Sequence, residues 1–353
     1  MTKHKLFSWV FIIFAAIFAL LNLAVYYFCT ADLLLPNPKK PIGDLSRIGY
    51  VTDIPYLQTV SQGLSKKHWN LSDFPGGAVD IITIGDSFSN AGVGAWIPYQ
   101  DYIASLNDLK VLNIDPYQFV PNSENYLAFA NNLLDSGWLD KYRPRVILIQ
   151  KTERVCLLFF SEKIDFDRPE PVKLREPQGG QSLAGPPQPS FINNANLKYF
   201  LYPLLYYVSD NAFFSEVYVT KLNKNFFSGE KGDKLVFLSH DLTSIRPSKR
   251  RSVKMMNDNL NALAEKLEKH NIKLYFMPVV DKYNLYRDYI VNNPYPPSVF
   301  FEELRELPKK YYFIDTKKIL SQELQRGVID LYHQGDTHWT YKATKAISEK
   351  LKF

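Results

Sequence analysis

The chain has 353 residues, a formal net charge of +6 and an aromatic content of 15%. Its charge is spread along the chain without a dense basic stripe, which argues against nucleic acid as a partner. Its ordinary balance of charged and apolar residues argues against wholesale disorder, and its length suits one large domain or two modest ones.

The first strong signal is LFSWVFIIFAAIFALLNLAVYYF, residues 6–28, which carries no charge. A helix needs about 20 apolar residues to cross a bilayer. Lys3, His4 and Lys5 precede the run, so the positive-inside tendency puts the short leading end in the cytoplasm and the rest outside. The apolar stretch is longer than a signal-peptide core and has no small-x-small exit. Tyr27 and Phe28 before Cys29 argue against a lipoprotein, and the terminal position argues against a buried soluble helix. The reading is an uncleaved signal anchor over 1–30, a stalk over 31–76 and a catalytic domain over 77–353. Cys29 and Cys156 are the two cysteines, and their places in the chain make a bridge between them doubtful.

From residue 78 onward, apolar runs alternate with amphipathic stretches. AVDIITIG (78–85), LKVLNI (109–114) and PRVILIQ (144–150) read as buried strands. Helical spacing follows near 95–107 and over 123–139, with Ser123 as N-cap. Residues 160–235 break the pattern with dense Pro and Gly, then an aromatic segment that reads either as a helical hairpin capping the core or as a lid beside a groove. The alternation resumes with a helix near 249–270 and strands at 272–280 and 311–315, and ends in a helix capped by Thr340. The expected fold is α/β: a three-layer α/β/α sandwich of about five parallel strands with one central insertion.

Ligands of open parallel sheets bind beyond the carboxyl ends of the strands. Ser87 lies just past the first strand of the domain, in IITIGDSFSN. A serine hydroxyl needs a neighbouring base to act as a nucleophile, and an imidazole base needs a carboxylate to fix its tautomer. The loop YHQGDTHWT supplies His338 and Asp336, two residues apart, before the last helix. The other readings are turn residues without chemistry and a metal site of Asp336, His338 and His333, for which no further ligand stands out. No metal and no cofactor is expected. Glu153 and Arg154 end the third strand, where they are either substrate-facing or half of an ion pair. Lys282 and Tyr286 follow the fourth; the lysine is read first as a solvated or structural charge rather than a catalytic group, and stacking on a sugar ring is the functional reading of the tyrosine, set below a structural one.

GDSFS after a strand, with DTHWT near the C-terminus, resembles the SGNH (GDSL) hydrolase superfamily. Within it the chain resembles the alginate-type (AlgX/AlgJ-like) polysaccharide O-acetyltransferases, also through VILIQKTERV (146–155) and FMPVVDKYNLY (276–286). The likeness covers most of residues 43–350. It implies Ser87, His338 and Asp336 as the triad, a polysaccharide substrate, and a multi-pass membrane-bound O-acyltransferase as acyl supplier. An esterase and a glycan-binding protein without chemistry are the other functions such a chain would have. The chain departs from the pattern in having Ser87 before the Asp–His block. It also has no Gly after the second strand and no Asn after the third, where the superfamily keeps oxyanion donors. That leaves the Ser87 N–H and a group near Thr152 for the role.

Overall fold

A computed structural model describes residues 3–35, 41–54, 56–57, 62–90, 97–119, 124–167 and 190–353. The chain opens with α1 (Lys3–Val25), a π-helical turn at Tyr26–Thr30 and α2 (Ala31–Leu34). Together they form a 32-residue apolar helix, long enough to cross a membrane and unburied over its most apolar part. A short helix, α3 (Asp44–Gly49), and the strand β1 (Trp69–Asn70) precede the main alternation.

That alternation runs β2 (Ile81–Ile84), α4 (Tyr99–Asn107), β3 (Val111–Ile114), α5 (Tyr126–Asp135), α6 (Trp138–Tyr142), β4 (Val146–Thr152) and α7 (Glu153–Phe160). The insertion holds α8 (Ala195–Leu205), β5 (Val217–Lys221), β6 (Lys234–Leu238) and α9 (Ser239–Thr243). Then come α10 (Arg250–Glu268), β7 (Lys273–Val279), α11 (Lys282–Tyr286), α12 (Phe300–Glu306), β8 (Tyr312–Phe313), α13 (Thr316–Gln325) and α14 (Tyr341–Ser348).

Six strands form one sheet in the order β1-β3-β2-β4-β7-β8, and every pairing in it is parallel. Strands β2, β3 and β4 are buried at every residue, as apolar runs covered on both faces must be. Helices α5, α7 and α12 pack with α10, while α4 and α13 pack with α14. The chain steps from β2 to β3 on one side, then crosses back to β4 on the other. This reversal opens a crevice between the carboxyl ends of β2 and β4, the place where doubly wound sheets take ligands.

Three expectations are corrected. The sheet has six strands rather than five, because Trp69 and Asn70 pair with Leu112 and Asn113 at its edge. Residues 41–54 and 69–70 belong to the domain rather than to a stalk: Leu45, Val51 and Ile54 share a buried cluster with Val217, Val219 and Val236. The insertion continues past residue 235, since β6 pairs with β5 out to Leu238. Thr340 does cap its helix, accepting from the Lys342 N–H at 3.1 Å. Ser123 lies outside the described residues, as do 95–96 and 168–189, and α5 is capped instead by Asn125.

Candidate functional site

Ser87 is exposed at the carboxyl end of β2, in the crevice beside β4. Asp86 fixes the turn that carries it. One oxygen of its carboxylate accepts from the Phe88 N–H at 3.0 Å and from Gln150 Nε2 at 2.9 Å. The other accepts from the Thr152 N–H at 2.9 Å and its hydroxyl at 2.5 Å. The Gln150 amide oxygen accepts from the Ser89 hydroxyl at 2.7 Å. A side chain at Gly85 would overlap Ser89 Oγ and Gln150 Oε1, so only glycine lets β2 and β4 close on the turn.

The second half of the site is the loop between α13 and α14. An antiparallel bridge between Tyr332 and Trp339 closes it, with the His333 N–H donating to the His338 carbonyl at 3.1 Å. Its interior is organised by the buried Lys282 ammonium, which donates to the carbonyls of His333, Gln334 and Asp336 at 2.9, 2.7 and 3.1 Å. Trp339 anchors the loop in the core against Phe88 and Tyr99. Phe88 also packs on the His338 ring, with centroids 4.7 Å apart. The residue after Ser87 thus packs directly against the imidazole.

Across this junction, His338 Nε2 lies 2.9 Å from Ser87 Oγ, and Nδ1 lies 2.7 Å from Asp336 Oδ1. The same carboxylate oxygen accepts from the His338 backbone N–H at 2.9 Å. Burial alone would raise the Asp336 pKa, but the hydrogen bond and charge of His338 outweigh it and hold the carboxyl far below its usual range. Burial also works against a charged His338, and the bond and charge of Asp336, with the charges of Asp44 and Asp86, more than offset it. The imidazole pKa is therefore raised. These are the conditions in which an imidazole accepts a proton from a hydroxyl on one side while a carboxylate steadies the resulting charge on the other.

Asp44 completes the arrangement, although nothing in its local sequence marks it. Its backbone N–H donates to Asp336 Oδ2 at 3.0 Å, and its carboxylate accepts from the Thr337 N–H at 2.7 Å and from the Thr337 hydroxyl at 2.5 Å. Gly43 and Gly335 permit this contact, because a side chain on either would strike the opposite segment. Burial and the nearby Asp336 raise the Asp44 pKa. Asp44, Asp336 and His338 each bring a ligand atom within 4.8 Å of the others, a spacing that suits a cation. Every one of these groups already has a hydrogen-bond partner. His333 stands apart from them, stacked on Tyr56 at 4.7 Å, with burial pulling its pKa down to about 4.

The remaining sequence candidates do not face the crevice as substrate groups. Thr152 spends both its N–H and its hydroxyl on Asp86, so neither is free to receive an oxyanion. Glu153 is buried, accepting from the Asp281 N–H, Asn284 and Ser298 at 2.9, 2.7 and 2.6 Å. Arg154 pairs with Asp281 at 2.8 Å and Asp241 at 3.6 Å, the ion-pair alternative of the sequence reading. Lys282 is structural. Tyr286 is fully buried against Phe226, Phe227 and Tyr332 and presents no face to a sugar. Among the described residues no acceptor is found for the Ser87 backbone N–H. A cavity of about 580 Å³ lies beyond the C-terminal end of α3, lined by Tyr50, Tyr206, Asp210 and Lys234 among others; Ser87 and His338 do not line it.

Fold and site together describe an α/β protein with a hydrogen-bonded serine–histidine–aspartate row at the open end of a parallel sheet. Compared with models of protein families, with curated proteins and with solved structures, the chain matches none.

Proposed function

We propose that the protein is a serine-dependent O-acyltransferase, of SGNH type, that works outside the cytoplasm on a cell-surface or secreted polysaccharide. The reading rests on one observation: an exposed hydroxyl, Ser87, within 2.9 Å of an imidazole that is itself bonded to a buried carboxylate at 2.7 Å.

In the reaction, Ser87 Oγ attacks the acyl carbonyl of the donor while His338 Nε2 takes the hydroxyl proton. The new C–O bond pushes the carbonyl electrons onto oxygen, where the Ser87 N–H is available to donate. Collapse of this intermediate breaks the bond to the leaving group, which receives the proton from His338. The acyl-serine is then attacked by a sugar hydroxyl, again with His338 as base, and Ser87 recovers its proton as the acyl group departs. Asp336 stabilises the imidazolium in both halves. The exposure of Ser87 suits a polymeric acceptor.

Helix α1 supports the placement. A catalytic domain tethered to a bilayer has a raised effective concentration near a membrane-bound acyl supplier, and a multi-pass O-acyltransferase is the partner the sequence resemblance implies. No cofactor enters this scheme. The same triad would run an esterase if water, rather than sugar, reached the acyl-serine. The two are separated by incubating the protein with an acetyl ester, with and without oligosaccharide. Acetyl appearing on the sugar is the expected result, and acetate release indifferent to the sugar would identify an esterase instead.

A further inference from the structure

The segment from α8 to the start of β5 turns its apolar side chains outward. Ala195, Asn196 and Tyr202 face the domain, while Leu197, Phe200 and Leu204 are exposed at the three- and four-residue spacing of a single helical face. Val208, Phe213 and Phe214 follow in the loop after it, all exposed, the last 99%. Both phenylalanines adopt left-handed backbone, at φ 44° and 55°. That conformation is unusual for bulky residues and is held only where the surroundings dictate it. Six large exposed apolar groups within one short segment exceed the scattered surface hydrophobics of an ordinary domain.

The row begins where the N-terminal helix meets the domain. Asn196 Nδ2 donates to the Asn22 side-chain oxygen at 2.9 Å, and its own oxygen accepts from the buried Thr30 hydroxyl at 2.7 Å. Leu33 and Tyr202 share a buried cluster with Ala195 and Ala212. A hydrocarbon layer of about 30 Å is filled by roughly twenty helical residues, which from Leu6 reaches Val25. Asn22 then lies about 5 Å inside the boundary, given a rise of ~1.5 Å per residue. Asn196, bonded to it, sits at that boundary. α8 carries no acidic residue, and its one cation, Lys198, lies over the Tyr50 and Tyr202 rings at 5.9 and 5.6 Å.

We infer that α8 and the loop through Phe214 form a second membrane contact, lying in the interface of the leaflet from which the domain emerges with their apolar row in the acyl boundary. A surface helix with an apolar face and no acidic charge suits that position, and the one carboxylate of the loop, Asp210, is turned back to the domain, accepting from the Tyr295 hydroxyl at 2.9 Å. The occupant is lipid rather than protein, because α8 is bonded and packed to the very helix that enters the bilayer. The inference rests on α1 being a membrane anchor and is independent of the chemistry at Ser87.

The test uses the full chain in vesicles of phosphatidylethanolamine and phosphatidylglycerol, in a Cys29→Ser background that leaves the buried Cys156. Nitroxide labels are attached at Phe14→Cys, Leu204→Cys, Phe214→Cys and Lys254→Cys, all exposed positions whose replacement does not disturb packing. Collision with oxygen is compared with collision with a water-soluble nickel chelate. The expected result is oxygen dominance at residues 14, 204 and 214 and nickel dominance at 254. With 14 in the bilayer, nickel access at 204 and 214 would overturn the inference. So would exclusion of both reagents there, the signature of a covering protein. Nickel access at 14 would remove the anchor and this inference with it.

Discussion

Asp44 donates its backbone N–H to the carboxylate of Asp336 at 3.0 Å, across 292 residues of sequence. The bond ties α3, near the start of the domain, to the loop that carries His338. The Asp44 carboxylate at the same time grips Thr337. Two carboxylates therefore bracket the imidazole, and only one touches it.

Asp44→Asn is expected to leave the fold intact and to lower the His338 pKa, because a negative charge near the imidazole is lost while one Thr337 contact survives. A nuclear magnetic resonance titration of the His338 ring, compared with wild type, checks this. An unchanged titration would mean that Asp44 acts only as a structural cap.

Ser87→Ala should abolish labelling by a fluorophosphonate probe and reduce turnover on the order of 10⁶-fold, as when a nucleophile is removed from a comparable triad. The thermal unfolding midpoint should hardly move, since Ser87 is exposed. Full function of Ser87→Ala in cells would favour a glycan-binding role without chemistry.

Asp336→Asn should cost about 10⁴-fold in kcat, because an amide N–H donating to Nδ1 would hold the imidazole in the tautomer whose Nε2 cannot take the Ser87 proton. It should cost little in substrate binding, so the loss is read in kcat rather than KM. The amide nitrogen would also face Nδ1, and a deeper loss of stability than in Ser87→Ala is expected.

The pH dependence of activity and of stability should run in opposite senses. The raised His338 pKa places the acid limb of kcat/KM above the ordinary imidazole value of 6.5, because His338 must be neutral to take a proton. The stability His338 contributes is fully present below 6.5 and is lost as pH rises through its raised folded value. Asp336 has the reverse sign: its contribution is present above 3.8 and is lost as pH falls through its depressed value. Measured melting curves of His338→Ala against wild type should therefore diverge most between about pH 4 and 6.5, by linkage, and draw closer at high pH, where only the bonds and packing of the neutral ring remain to separate them.

Arg154→Leu should destabilise the protein by about 3–5 kcal/mol, the usual cost of stripping the partner from buried charges. It strips the buried Asp281 and Asp241 of the guanidinium that pairs with both. Chemical denaturation measures the loss. A drop in activity with unchanged stability would instead return Arg154 to the substrate side.

The sequence was informative where local chemistry decides. Short runs dominated by isoleucine, such as Ile81–Ile84, admit little besides a strand covered on both faces, and the glycine after them marks the turn at Ser87. Asp336 and His338 were legible because they meet within a single loop. Asp44 was not, since its partner is fixed only by the packing of α3 on β5 and β6. Trp69 and Asn70 pair at an edge with too few residues to form a pattern. The place of Tyr286 was not legible for a similar reason: an aromatic residue just past a strand can face the crevice or the core. Phe226 and Phe227, from the insertion, decide for the core.

Thr30 and Leu33 are nearly inaccessible, enclosed by the very domain they lead into. In a chain anchored as proposed, the entry helix is therefore a splint rather than a leash. A leashed head sweeps a volume and meets whatever drifts by; a splinted one keeps a constant height and heading and searches only by gliding sideways. Lengthening the stretch after residue 35 would accordingly not extend its range unless the Thr30–Asn196 clasp were opened as well.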